Sequence, residues 1–150
     1  MPTQLSITDF FAGMLNAPLH NAVWSWGAVR PSDGVLFLRC WSDTLRRLDG
    51  RRYVEIQWPE TEVRKSKPGW VERNRHIDLM NEGRRAYAVI VTAKNTNANP
   101  RQIAFFNANE VFELGAMTVL DGITYAQIVA RQELRNVRDT RPNSAEVKVA

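Results

Sequence analysis

Trp24, Trp26, Arg39 and Trp41 are the residues of this chain whose types and spacing carry chemistry. Two tryptophans stand two residues apart, and a third follows with an arginine beyond the turn signal Pro31-Ser32-Asp33-Gly34. An indole offers a flat face on which a base stacks for about 1–3 kcal/mol. A guanidinium beside it donates to a base edge or a phosphate. The chemistry is capture of a flat ligand, with an unpaired or modified base as the natural candidate. Arg46, Arg47, Arg51 and Arg52 come next, the densest positive charge in the chain, and are the expected phosphate contacts. The plainer reading makes the tryptophans a second core under the helix that begins at Trp70, with Arg39 lying across an indole. On that reading the arginines are a solvated face.

Catalytic constellations are weaker. A divalent-metal nuclease needs clustered carboxylates. Asp49 followed by Glu55 and Gln57 is a poor version of that pattern, and a strand's solvent face explains Glu55 sufficiently. His76 with Glu72 and Asp78 lacks a second histidine near in sequence. Cys40, the one cysteine, alternates with Leu36 and Leu38 and reads as a core thiol. There is no phosphate-binding glycine loop and no nucleophile elbow. No catalytic residue, metal or cofactor is therefore expected, and the chain is not read as an enzyme.

The elements that must position these residues begin with a hairpin. Apolar runs flank residues 31–34, so Ala28 should face Phe37, Trp26 face Arg39, and Trp24 face Trp41. Alternation then puts Trp24, Trp26, Phe37, Arg39 and Trp41 on one face. Val23, Val29, Leu36, Leu38 and Cys40 take the other. Before the hairpin, residues 7–16 have helical spacing of Phe10, Phe11, Met14 and Leu15. After it, 52–58 alternates Tyr53, Glu55 and Gln57 against Val54, Ile56 and Trp58, as a half-buried strand stopped by Pro59. Glu60–Lys67 reads as a charged loop. Residues 70–82 read as a helix with Gly83 as its C-cap. Residues 86–92 form a continuous β run of a strand buried on both faces. A strand over 101–106, a short helix from Asn107 to Leu114 and a hairpin over 115–130 about Asp121-Gly122 complete the order. The class is α+β: a small curled mixed sheet or partial β-barrel with two or three flanking helices.

Size and composition agree. The 150 residues suit one domain, placed at 1–131, with 132–150 as a loose basic tail. The net charge of +4 permits a nucleic-acid partner without requiring one, whereas five tryptophans are the stronger anomaly. The start lacks a basic leader, no apolar run is long enough for a membrane span, and one cysteine gives no disulfide framework. A cytoplasmic protein without a membrane partner is expected.

Residues 21–28, Asn-Ala-Val-Trp-Ser-Trp-Gly-Ala, with the strand 35–41, resemble a small bacterial module found beside HNH-type and modification-dependent restriction nucleases. Residues 83–92 and 103–115 fit the same pattern, so the resemblance spans about 8–131. The architecture is similar to PUA-like and EVE-like readers, which hold a modified base in an aromatic pocket. The resemblance implies a DNA- or RNA-binding module linked to restriction or defence, with Trp24, Trp26 and Trp41 as base platform and Arg39 as anchor. No nuclease motif follows in this chain. The alternative, from another class, is a small phage- or plasmid-encoded inhibitor or adaptor acting on a nuclease or defence protein through its Trp-rich face. Exposed sheet edges are compatible with a homodimer.

Overall fold

The computed structural model describes residues 5–138. Ser6 caps α1 (Ile7–Asp9), its hydroxyl accepting from the Asp9 backbone N–H at 3.0 Å, and a π-helical turn, Phe10–Met14, continues it. This replaces the longer regular helix of the sequence reading but buries the same residues, Phe10, Phe11 and Leu15.

The hairpin has the expected register over a shorter length. In β1 (Gly27–Val29) and β2 (Leu36–Trp41), Ala28 faces Phe37, and the Arg39 N–H donates to the Trp26 carbonyl at 2.7 Å. Residues 21–24 are instead a turn, with Asn21 Oδ1 accepting from the N–H groups of Val23 and Trp24 at 2.8 and 3.2 Å. Next come β3 (Arg46–Leu48) and β4 (Arg51–Gln57), joined at Asp49-Gly50, where both residues have positive φ (51° and 77°). Such a turn matches strand twist and suits a two-residue hairpin. The segment 60–67 is not all loop. Thr61 caps α2 (Glu62–Lys65), and α3 (Pro68–Asn81) starts on Pro68, a residue preorganised for the first helical position.

β5 (Ala86–Ala93) sends Tyr87 and Val89 into a first apolar cluster with Phe10, Phe11 and Phe37. It sends Ala86, Ala88 and Ile90 into a second cluster with Leu36, Leu38, Cys40, Val54 and Ile56. A strand covered on both faces explains its uninterrupted apolar run. β6 (Ile103–Phe106), β7 (Glu110–Leu120) and β8 (Ile123–Glu133) follow, then α4 (Leu134–Val137).

Two expectations are corrected here. Residues 107–114 form no helix: Asn107 Oδ1 accepts from the N–H groups of Asn109 and Glu110, but that turn launches β7, which pairs Phe112 with Ala88 and Val111 with Gln132. Nor does the ordered domain end at 131. β8 runs to Glu133, and Leu134 and Val137 join the first cluster, with the Arg30 guanidinium donating to the Val137 carbonyl at 2.8 Å. Of the expected tail, 139–150 lies outside the described residues.

The described residues thus form a mixed α+β fold with one open eight-stranded sheet, ordered β1-β2-β5-β7-β8-β4-β3, with β6 on β5. All pairings are antiparallel except β2 with β5. β2 and β4 are far apart in that order, yet Arg73 of α3 spans them. Its Nη1 donates to the Ile56 carbonyl, and its Nη2 donates to the Arg39 and Trp26 carbonyls at 3.0 Å each. The sheet therefore curls, and a guanidinium closes the seam. No helix among the described residues is long and apolar enough to cross a membrane.

Candidate functional site

A cavity of about 890 Å³ lies over this seam, and Trp24, Trp26, Arg39 and Trp41 all line it. Trp24 reaches it from the 21–24 turn and does not face Trp41 across a strand, whereas the placing of Arg39 and Trp41 follows from alternation along β2. Leu38 and Cys40 point into the second cluster, so Arg39 and Trp41 point the other way, beyond Phe37, which the first cluster buries. Val23, expected on the apolar face, is 91% exposed in the turn.

The walls are aromatic. Trp26 meets Trp58 edge to face, with centroids 5.5 Å apart and planes at 85°. The Arg73 guanidinium lies 5.9 Å from the Trp26 centroid. Gly69 lets α3 press against the same indole: a Cβ there would stand 2.6 Å from Trp26 Cε2 and 2.7 Å from the Trp24 carbonyl oxygen. Arg101 sits 5.2 Å from the Trp41 centroid and forks onto Asp43 at 2.8 and 3.0 Å.

Arg39 is the electrostatic centre. Its side chain makes no hydrogen bond or ion pair within the described residues, and its Nε is enclosed without a partner. Burial, reinforced by the charge of Arg73, pulls its pKa down to about 10. An enclosed donor-only group of this kind is costly unless an acceptor meets it. Glu55 also lines the cavity, and the Tyr125 hydroxyl donates to its Oε1 at 3.5 Å.

Trp58 is a residue that sequence reasoning placed on the wrong side. A bulge between Glu55 and Gln57 shifts the pairing of β4 with β8, so strict alternation fails there. Gln57 turns inward and donates to the Trp70 carbonyl at 3.0 Å and to Asn74 Oδ1 at 2.7 Å. Trp58 then joins Glu55 on the cavity.

The arginines expected to bind phosphate lie elsewhere. Arg46, Arg47, Arg51 and Arg52 are exposed on the β3–β4 hairpin, with Arg47 opposite Arg52, and none lines the cavity. Arg46 donates to the Tyr125 hydroxyl at 2.9 Å, which links that hairpin to Glu55. The cations on the cavity beside Arg39 are Arg64, Lys67, Arg73 and Arg101.

The weaker catalytic candidates separate. Asp49 sits at the hairpin tip and Glu55 well along β4, about 20 Å away for six extended residues. Among the described residues no group of three or more His, Cys, Asp or Glu side chains is placed to hold a metal. Cys40 is buried, and burial pushes its thiol up to about 11, away from nucleophilic character.

The helix carries a surprise. Of its expected apolar side, Trp70 is buried and Ile77 and Met80 pack against the second cluster while Val71 is exposed, but most of the fully buried positions are others. The buried residues are Gly69, Trp70, Glu72, Arg73 and His76. Positions 69, 72, 73 and 76 follow the spacing of a single helical stripe, a signal that a search for apolar periodicity passes over. Burial first, then Arg73 and Arg75, lowers the His76 pKa to about 4. Below pH 6.5 the unfolded chain therefore protonates this imidazole while the folded chain resists until about 4, so stability is lost as pH falls through that window. Burial pushes the neighbouring Glu72 carboxyl up against hydrogen bonds from Ser25 and Trp26, so that group acts in the opposite sense. The difference between wild type and His76→Gln isolates the imidazole. It should grow by about 2–3 kcal/mol between pH 7 and pH 4 in urea unfolding.

Comparison with family models, with curated proteins and with solved structures finds no match to this chain.

Proposed function

We propose that the chain is a nucleic-acid-binding module that takes an unpaired or modified base into the seam cavity. One observation carries the reading: the Arg39 guanidinium, without a partner among the described residues, stands among Trp24, Trp26, Trp41 and Trp58. A ligand that satisfies both features is flat, stacks on indoles, and presents acceptor atoms in its plane. A nucleobase has that chemistry. Phosphates entering with the base meet Arg64 and Lys67 at the cavity, and a longer strand reaches Arg46, Arg47, Arg51 and Arg52 on the hairpin. The open curled sheet with flanking helices is in keeping with a PUA/EVE-like reader. The link to restriction or defence rests on the resemblance of residues 21–28. The role is binding rather than catalysis.

A protein inhibitor acting through the same tryptophans is less well supported, because they line a concavity and none is fully exposed. The test is tryptophan fluorescence of wild type and Trp26→Phe, titrated with plain and modified, single- and double-stranded oligonucleotides at two salt concentrations. Saturable quenching, weaker in Trp26→Phe and steeply weaker with salt, is the expected result. Blue-shifted emission that no oligonucleotide quenches would refute base binding.

A further inference from the structure

We propose that the seam cavity selects guanine, with Glu55 as the residue that discriminates. The inference rests on the base-binding reading and names the base. Among the described residues Glu55 is the one acidic side chain lining the cavity, beside Arg39, Arg64, Lys67, Arg73 and Arg101. It makes an ion pair with none of them. A cavity built only for phosphate gains nothing from a carboxylate, which repels the anion that the cations attract. A carboxylate accepts and never donates, so its use there is to meet N–H groups of the ligand.

Glu55 is half-buried and held from behind. It stands opposite Tyr125 in the β4–β8 pairing, and the Tyr125 hydroxyl, which accepts from Arg46 at 2.9 Å, donates to Glu55 Oε1 at 3.5 Å. Tyr125 is buried, with the Arg46 guanidinium 5.3 Å from its ring centroid, so the donor is itself fixed. Arg39 is the counterpart. Val54 and Ile56 join the second cluster with Leu38 and Cys40, so Glu55 and Arg39 both stand on the other face of their strands. The Arg73 guanidinium donates to the Ile56 and Arg39 carbonyls together, which sets those two strands, and with them a carboxylate and a guanidinium, side by side. Of the Arg39 nitrogens only Nε is enclosed, so the terminal pair is the part that reaches a ligand. Guanine alone among the common bases offers two adjacent donors, N1–H and the N2 amino group, on one edge and two adjacent acceptors, O6 and N7, on another. A carboxylate matches the first pair and a guanidinium the second. Adenine and cytosine set a ring lone pair beside the amino group, and thymine sets carbonyl oxygens beside its N–H. Each would turn an acceptor towards a carboxylate oxygen. A Watson–Crick pair engages N1–H, so the guanine that meets Glu55 is unpaired.

The test is tryptophan quenching at fixed salt by short thymidine strands that carry one central guanine, adenine or cytosine, with the all-thymidine strand as baseline. The guanine strand should bind at least tenfold more tightly than the others. Two analogues dissect the edges without altering the protein. Hypoxanthine lacks the N2 amino group and 7-deazaguanine lacks the N7 acceptor, and each should lose most of the guanine advantage. Glu55→Gln keeps the shape of the side chain but not its two acceptors, and should bring the guanine and adenine affinities together. If that variant proves unfolded by circular dichroism, the analogue series decides alone. An adenine or cytosine strand that binds as tightly as guanine, or analogues that bind as tightly, would overturn the assignment while base binding stands. A guanine preference that survives in folded Glu55→Gln would overturn the role of Glu55. Quenching by no strand at all would overturn the base-binding reading, and this inference with it.

Discussion

Arg39→Met is expected to make the protein more stable and to weaken its hold on a base at least tenfold. Arg39 is half-buried, its Nε enclosed and its side chain without a hydrogen-bonding partner among the described residues, with its pKa drawn down to about 10. Methionine keeps much of the side-chain volume and removes the desolvated charge. It also relieves repulsion with Arg73. Replacing a poorly compensated buried charge by an apolar isostere commonly stabilises by about 1 kcal/mol or more. Binding should move the other way. A charge-assisted hydrogen bond to a base edge contributes about 1.5–3 kcal/mol, so affinity should fall at least tenfold. The opposite signs are the point of the experiment. If Arg39 only braces the tryptophans as part of a core, the same substitution destabilises the fold. Urea unfolding and oligonucleotide quenching on one preparation separate the two cases.

Arg73→Met should have the reverse profile, a large loss of stability. Arg73 is 3% exposed and donates to the carbonyls of Ile56, Trp26 and Arg39, which belong to segments from opposite ends of the sheet order. Burial lowers its pKa, but three carbonyl acceptors compensate the charge as Arg39 is not compensated. Removing the group forfeits those bonds and loosens α3 from the seam, at about 3 kcal/mol, or roughly 10 °C in Tm for a chain of this size. Arg73→Lys should recover less than half of that, because one ammonium cannot span three carbonyls as a planar fork does. A variant within about 1 kcal/mol of the wild type, roughly a fivefold change in the unfolding equilibrium, would show that the seam holds without its guanidinium.

Much of this was legible in the residues. The turn residues at 31–34 set the hairpin register, and alternation from it brought Trp26, Arg39 and Trp41 to one cavity, which Trp24 joins from a turn and not from a strand. The doubly apolar run at 86–92 marked the central strand, and the Asp121-Gly122 pair marked the last hairpin. What escaped has physical causes. The bulge at Ile56 depends on how β4 meets β8 across the fold, and nothing local in Glu55-Ile56-Gln57 announces it. The cap-like pattern at Asn107 is equally at home before a strand, and pairing with β5 and β8 decided the outcome. The buried face of α3 is polar because its partners are backbone carbonyls and a serine hydroxyl, so hydrophobic spacing pointed elsewhere. The domain was drawn too short because Leu134 and Val137 are isolated apolar residues whose burial relies on Phe10, Phe11 and the Arg30 guanidinium.

The stripe along α3 has a thermodynamic consequence. Gly69 and Arg73 form part of the seam cavity, while Glu72 and His76, on the same rigid cylinder, form part of a second. Ser25, bonded to Glu72, lies between Trp24 and Trp26 in the chain. A displacement of the helix at either cavity is therefore felt at the other. By linkage, whatever factor a ligand at one cavity applied to affinity at the other would be returned in full.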